Sequence, residues 1–449
     1  MRMSRAAIIL CLSMGVTALG PTSAAQAPIP TLTAAQATSL VATYKSLHAA
    51  PELSHYEQKT SAFLANELRA AGFTVTERVG KYDKPEFTSY GVVAVMKNGA
   101  GPTVMYRTDM DALPVDEKTG LPFASTVHMK NDAGQDVPVM HACGHDIHLT
   151  TMIGTARMLA SLKDRWHGTL VFIGQPSEEI NQGAQALLAD GLYTRFPKPD
   201  MVIGLHDSAE LETGKVGYTV GDAFSNTTSV DMNVRGIGGH GARPEMAKDP
   251  IVLASQIVLA LQTIVSRENS PLDPAVITVG SIHGGTKHNV IPDEVDLQIT
   301  LRAYREDVRK RMLASIERIA RGTAIAAGIP ETLLPIVKVN GTVCPAVYND
   351  PKLTERLAGA WTRALGADHV TAVPPAMVGE DFAMYSLADH SVPSTIFWLG
   401  AVDPASLARS RETLVPLPTL HSALFAPVPE STIRTGITAV TAAVLELMK

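Results

Sequence analysis

Only three cysteines occur in 449 residues, so no dense disulfide framework is available and the core must come from apolar burial. Aromatic residues are scarce at 5%, and the net charge is only -6. No Lys/Arg cluster forms a basic footprint, which argues against nucleic acid and leaves small solutes as the expected partners. Past the N-terminus no stretch approaches the length of uninterrupted apolar sequence that a membrane span needs.

The N-terminus itself reads as a secretory leader over residues 1–27. Arg2 and Arg5 form a basic start, an apolar run extends from Ala6 to Leu19, and small residues end in Ala25-Gln26-Ala27. The expectation is an exported protein, periplasmic or secreted, with no membrane attachment after cleavage. Cys11 follows Leu10 and not a small residue, which argues against a lipoprotein. Export leaves Cys143 and Cys344 where disulfides persist, so a bond between them is a rival use for Cys143.

The length exceeds one ordinary domain. Helical periodicity runs from Ala34 to Ala71, broken near Pro51, and again from Thr150 to Leu162. Apolar strand-like runs lie at Phe73–Thr76, Val92–Met96, Thr103–Tyr106, Gly168–Gly174 and Met201–Leu205. This alternation predicts an α/β fold with a mostly parallel sheet, whose strand ends bring polar groups to one crevice. Near Ala223 the pattern changes to β-α-β-β-α-β, as in a small α/β sandwich. The expected plan is a discontinuous catalytic domain, 28–222 and 342–449, carrying an inserted lid or dimerisation domain, 223–341.

Two short segments carry chemistry. Met140-His-Ala-Cys-Gly-His-Asp places Cys143 two residues from His145, and Gln175-Pro-Ser-Glu-Glu ends in Glu178 and Glu179. Thiolate, imidazole and carboxylate are donors for zinc-like divalent ions, and a second carboxylate could take a proton from water. Taken singly, a buried Cys is more often a small hydrophobe and paired acids a solvated helix face.

Further segments match in order from Leu47 to the C-terminus. Leu47-His-Ala-Ala-Pro-Glu-Leu-Ser, Asp109-Met-Asp-Ala-Leu-Pro-Val, Gly204-Leu-His, Gly238-Gly-His-Gly-Ala-Arg-Pro, Gly284-Gly-Thr-Lys-His-Asn-Val-Ile-Pro, Gly379-Glu-Asp-Phe-Ala and Leu420-His-Ser join the two above. Together they resemble the amidohydrolase branch of the aminoacylase and carboxypeptidase G metallopeptidases, which includes hippurate and auxin-conjugate hydrolases. The resemblance implies a hydrolase with two divalent metal ions: zinc, manganese, cobalt or nickel. By position Cys143 bridges both ions, His145 and His206 complete one, and Glu179 and His421 complete the other. Glu178 is then the general base and Asp111 a supporting acceptor that orients a ligand. Asp109 stands where related peptidases carry a metal histidine, which His145 replaces here. His240, from the insert, resembles the lid histidine that stabilises the oxyanion across a dimer interface or after closure. Asn289 and Arg302 match substrate contacts, the arginine suiting a free carboxylate. His141 and His148 are expected to be supporting or structural.

The implied reaction is hydrolysis of an N-acyl or N-aroyl amino acid by activated water, with the inserted domain suited to a homodimer. The same chemistry would serve a dipeptidase or carboxypeptidase. A metal-free thiol hydrolase using Cys143 and His145 is a different class, and a site that binds without turnover is a third. Asp207-Ser-Ala-Glu-Leu after His206, Glu245 after Pro244 and Ala223-Phe-Ser-Asn-Thr-Thr depart from the family pattern. These departures bear on the acyl group and leave the proposed ligands intact.

Overall fold

The computed structural model describes residues 27–449; of the expected leader only Ala27 falls among the described residues. The main sheet has eight strands. Their spatial order is Thr74–Val79, Gly91–Asn98, Gly168–Gln175, Thr103–Asp109, Met201–Glu212, Ser394–Val402, Val216–Tyr218 and Val370–Ala372. The four central strands are mutually parallel. Antiparallel pairs join the 74–79, 91–98 and 168–175 strands at one side, and 216–218 to 394–402 at the other. The sheet is therefore mixed, parallel where the site lies.

Central strands read as near-continuous apolar runs because both faces are covered. On one face helices Ala34–His48, His145–Ser161, Pro351–Leu365 and Pro429–Leu447 pack around Tyr44, Trp166, Trp361 and Phe397. On the other, Phe382, Tyr385, Leu187 and Ile173 form a second cluster. The periodic stretch Ala34–Ala71 is two helices, Ala34–His48 and Gln58–Ala70. The helix expected from Thr150 begins at His145, which places a candidate ligand on its first turn.

The insert builds its own antiparallel sheet, ordered Ala275–Gly284, Glu294–Ala303, Asn226–Arg235 and Ile336–Cys344. Along Glu294–Ala303 the side chains of Glu294, Asp296 and Gln298 are exposed and Val295, Leu297, Ile299 and Leu301 are buried. Only one face is covered, by helices Pro250–Thr263 and Glu306–Ala326, whose Leu253, Ile257, Met312 and Ile316 complete a separate core. Helix Pro250–Glu268, counting its last π-turn, has the length and apolarity to cross a membrane. Its Leu253, Ala254, Ile257 and Leu261 are instead buried in the lid core.

Candidate metal centre

The site gathers at the carboxyl side of the central strands. Gly144 precedes helix His145–Ser161 with φ 73°, a conformation that favours glycine. A Cβ there would lie 2.2 Å from the Asp207 carboxylate. Glycine thus lets the Cys143–His145 turn press against the neighbouring strand.

Two of the imidazoles are aimed by a bond to the far nitrogen, as is usual for metal-binding histidines. His145 Nδ1 donates to the Asp111 carbonyl at 2.7 Å, and His206 Nδ1 donates to the Asp207 carbonyl at 2.8 Å. Both Nε2 atoms then carry lone pairs facing the cleft. His421, at φ 66°, is tied by its own N–H to the Ala142 carbonyl at 2.8 Å. The two carboxylates are set by their backbone: N–H of Glu178 and of Glu179 donate to Asp111 Oδ1 and Oδ2 at 3.1 and 3.0 Å.

Among the groups of converging donor atoms two share Cys143: Cys143 with His145 and His206, and Cys143 with Glu179 and His421. Cys143 Sγ lies 3.5 Å from His206 Nε2 and 3.3 Å from His421 Nε2. His421 Nε2 is 3.5 Å from Glu179 Oε2, and His145 Nε2 is 3.8 Å from Glu179 Oε1. Tetrahedral bonds of about 2.0–2.3 Å place neighbouring ligand atoms roughly 3.3–3.8 Å apart. The buried atoms His145 Nε2 and Glu179 Oε1 have no hydrogen-bond partner among the described residues, an expensive state that a cation bound at each group would relieve.

Charge points the same way. Burial, then Glu380 and Glu179, push Glu178 well above the usual carboxylate range. Burial pushes Glu179 up to about 8, with Asp111 adding to the rise and His145 opposing it. Burial and then Glu179 and Glu178 push the Cys143 thiol well up. Burial would depress His145, but Asp109, Asp111 and Glu179 outweigh it and hold it raised, the mark of a site rich in negative charge. Burial, His145 and His206 lower His421 to about 4, leaving a neutral imidazole able to ligate. The residues fit two divalent cations, and without them the Cys143 thiolate that a metal-free hydrolase needs is strongly disfavoured. Cys143 and Cys344 are both free thiols.

One expectation changes: the ligands do not all lie where strands end. His206 lies inside the strand Met201–Glu212, and His421 comes from an irregular loop before the last helix, so the ligands do not all sit at strand ends. Arg302 does line the cleft, with Thr227, Asn181 and Phe224. His240 and Asn289 do not: both are exposed, on a two-stranded ribbon where His240 pairs with Val290. Strands Asn226–Arg235 and Glu294–Ala303 run antiparallel from the end where Asn226 meets Ala303 to Arg235 and Glu294 near the ribbon. Ten residues at about 3.3 Å each carry the ribbon roughly 30 Å along the lid.

Beneath the cleft lies a network that sequence reasoning missed. Arg107, fully buried, donates to Gln175 Oε1 at 2.9 Å, Asp109 Oδ2 at 2.6 Å, Glu380 Oε1 at 2.7 Å and Asp381 Oδ1 at 3.2 Å. Asp109 also accepts from His148 Nδ1 at 2.6 Å, and His148 Nε2 accepts the Asp207 N–H at 2.9 Å. Asp109 is thus a structural bridge between Arg107 and His148. A lone arginine ending an apolar strand and the adjacent acids Glu380 and Asp381 were the available signals.

The profile of peptidase family M20/M25/M40 matches residues 105–418. The chain belongs to this family. It is 37% identical over 372 residues to N-acetyldiaminopimelate deacetylase of Limosilactobacillus fermentum, covering 82% of this chain and 90% of that protein. N-acetyl-L-cysteine deacetylase of Bacillus subtilis is 35% identical over 366 residues, 80% of each chain. A dinuclear metal-binding peptidase of family M20 from Bacillus subtilis superimposes with a TM-score of 0.71 at 26% identity, over 91% of this chain and 97% of that one. This M20-family chain is a metal-dependent hydrolase with a dinuclear site for divalent cations.

Proposed function

We propose that this chain hydrolyses the amide of an N-acyl or N-aroyl amino acid, releasing a carboxylic acid and a free amino acid, as the amidohydrolase branch of the family does. One observation carries the reading. The metal cleft, about 370 Å³, adjoins a second cavity of about 540 Å³, with Met377, Val378, Trp398 and Leu420 lining both. Leu211, Pro374, Pro375 and Ala376 make the second cavity largely apolar, a suitable place for an acyl or aroyl group. In the first, the Arg302 guanidinium offers a fork to the carboxylate of the amino acid. The deacetylase names of two relatives describe substrates of this kind.

Two divalent cations, when held by Cys143, His145, Glu179, His206 and His421, supply Lewis acidity at the scissile carbonyl and acidify the attacking water. Glu178 takes the proton from that water. Its buried carboxyl lies beside the ligands, placed for this step and for the later delivery to the leaving nitrogen. Asp111 holds Glu178 and Glu179 in place through their N–H groups. His240 then stabilises the oxyanion from a lid. Its distance from its own cleft supports donation by the lid of a second copy. Ile251, Val252 and Leu259, 40%, 53% and 73% exposed on helix Pro250–Thr263, support a homodimer through the insert, residues 223–341. The leader at 1–27 supports export.

Glu210 favours a second reading. It is an acid lining the otherwise apolar cavity and could pair with the ammonium of a dipeptide. A panel of N-benzoyl, N-acetyl and aminoacyl derivatives of one amino acid, compared by kcat/KM, decides. The N-acyl reading requires the first two to exceed the dipeptide; a preference for the dipeptide that disappears in Glu210→Gln would replace it with a dipeptidase.

A further inference from the structure

Ser177 precedes Glu178 and has φ 53°, a left-handed conformation that a residue with a Cβ avoids unless its surroundings hold it. The holding group is Glu57, fully buried and more than a hundred residues away in sequence. Its Oε1 accepts the Ser177 N–H at 2.7 Å, the Ser177 hydroxyl at 3.2 Å and the His55 N–H at 3.2 Å. Ser177 Oγ in turn accepts from Tyr82 OH at 2.7 Å and from His55 N–H at 3.0 Å.

Glu57 is also the N-cap residue of helix Gln58–Ala70, yet its side chain makes no capping bond to that helix. The first-turn amides of that helix, Lys59 and Thr60, are held by Glu52 Oε2, each at 2.8 Å. The Glu57 carboxylate is given to the turn at 177. Since the next two amides go to Asp111, three successive N–H groups, of Ser177, Glu178 and Glu179, are held by two buried carboxylates. Two of those residues are the proposed base and a metal ligand.

We infer that Glu57 is a positioning residue for the catalytic turn: by holding the Ser177 N–H in a left-handed backbone, it sets the direction from which Glu178 and Glu179 enter the cleft. This rests on the reading of Glu178 as the base. Position, and not negative charge, is the contribution. Burial and then the facing Asp111 carboxylate push Glu57 up to about 8, and its Oε2 has no hydrogen-bond partner among the described residues. Glutamine keeps the accepting oxygen and the side-chain length without the charge, whereas aspartate keeps the charge and falls one methylene short.

The test compares Glu57→Gln with Glu57→Asp in the full chain, reading kcat and KM on an N-acyl amino acid and the binding of Zn²⁺ alone to metal-free protein by calorimetry. Glu57→Asp is expected to lose about 100-fold in kcat with KM within roughly threefold, the size of effect that a misplaced catalytic group produces. It should also weaken Zn²⁺ binding at the Glu179 site by about tenfold. Glu57→Gln should stay within about fivefold of the parent in kcat. A fully active Glu57→Asp, or a Glu57→Gln that falls further than Glu57→Asp, overturns the inference.

If Glu57→Asp folds poorly, Tyr82→Phe removes one hydroxyl from the same network. It should lower kcat by roughly tenfold without lowering the melting temperature; an unchanged kcat overturns the inference. Failure of the underlying reading is distinct: it would appear as full activity in Glu178→Gln, whatever the Glu57 variants do.

Discussion

The metal cleft and the lid ribbon are built to opposite standards. In the cleft His145, His206, Glu178 and Glu179 are each fixed by a bond to buried backbone or a buried carboxylate. On the ribbon His240 is exposed, and its recorded side-chain bond is from the Ala242 N–H to Nδ1 at 3.0 Å. A group that must hold a cation needs rigidity before substrate arrives. A group that acts only on the developing oxyanion can be brought in by a moving domain or a second chain. Metal binding is complete within one domain, whereas the role proposed for His240 needs a contact added from the lid.

The strongest way to break the comparison is to empty the cleft. Chelation, or Cys143→Ala, should abolish hydrolysis, and Zn²⁺ or Mn²⁺ should restore the chelated parent but not the variant. Melting temperature should fall with the metal, because ligands that bind only the native state stabilise it by about 4 kcal/mol at a thousand times their Kd. Activity that survives complete metal removal, measured by elemental analysis, would end the dinuclear reading.

Glu178→Gln comes next, with turnover expected to fall by about 10³-fold while metal content stays at two ions per chain. His240→Ala should cost about 10²-fold in kcat and leave metal content and melting temperature unchanged. Mixing those two variants sharpens the comparison further. If the lid acts across a dimer, the mixed dimer has one intact site, and roughly a quarter of parental activity should return. No recovery on mixing would assign His240 to closure of its own lid.

The smallest effect tests the cleft's support. His48 lies fully buried with Nδ1 2.7 Å from Asp146 Oδ2 and Nε2 3.1 Å from Glu117 Oε1. Burial pulls its affinity for a proton down, but hydrogen bonds to Asp146 and then Glu117 outweigh it and raise the group from 6.5 to about 9. A raised folded value contributes stability fully below about pH 6.5 and loses it as pH rises through 9, by up to about 3 kcal/mol. Denaturant unfolding at pH 6 and pH 10 should show that loss, and His48→Gln should show less of it.

Much of the cleft was readable because its residues cluster in short motifs of unusual composition. Cys143 with His145, the pair Glu178 and Glu179, and His206 ending Gly204-Leu-His stood out against apolar surroundings, and the profile match over 105–418 agrees with the family they suggested. Arg107, Glu57 and His148 were harder. Each is a common residue whose importance arises from partners distant in sequence, such as Glu380 for Arg107 and Ser177 for Glu57. Periodicity reports which face of an element is buried, but not what a polar side chain meets there.

By itself the sequence determined the donor chemistry and the α/β class with an inserted antiparallel unit, because residue type and apolar spacing are local properties. Only the tertiary structure decided that Asp111 holds the amides of both glutamates, that Arg107 and Glu57 tie distant segments together beneath the cleft, and that Arg302 lines the cleft while His240 stays about 30 Å along the lid. Strand order and register set those distances, and both depend on contacts between residues that local pattern does not relate.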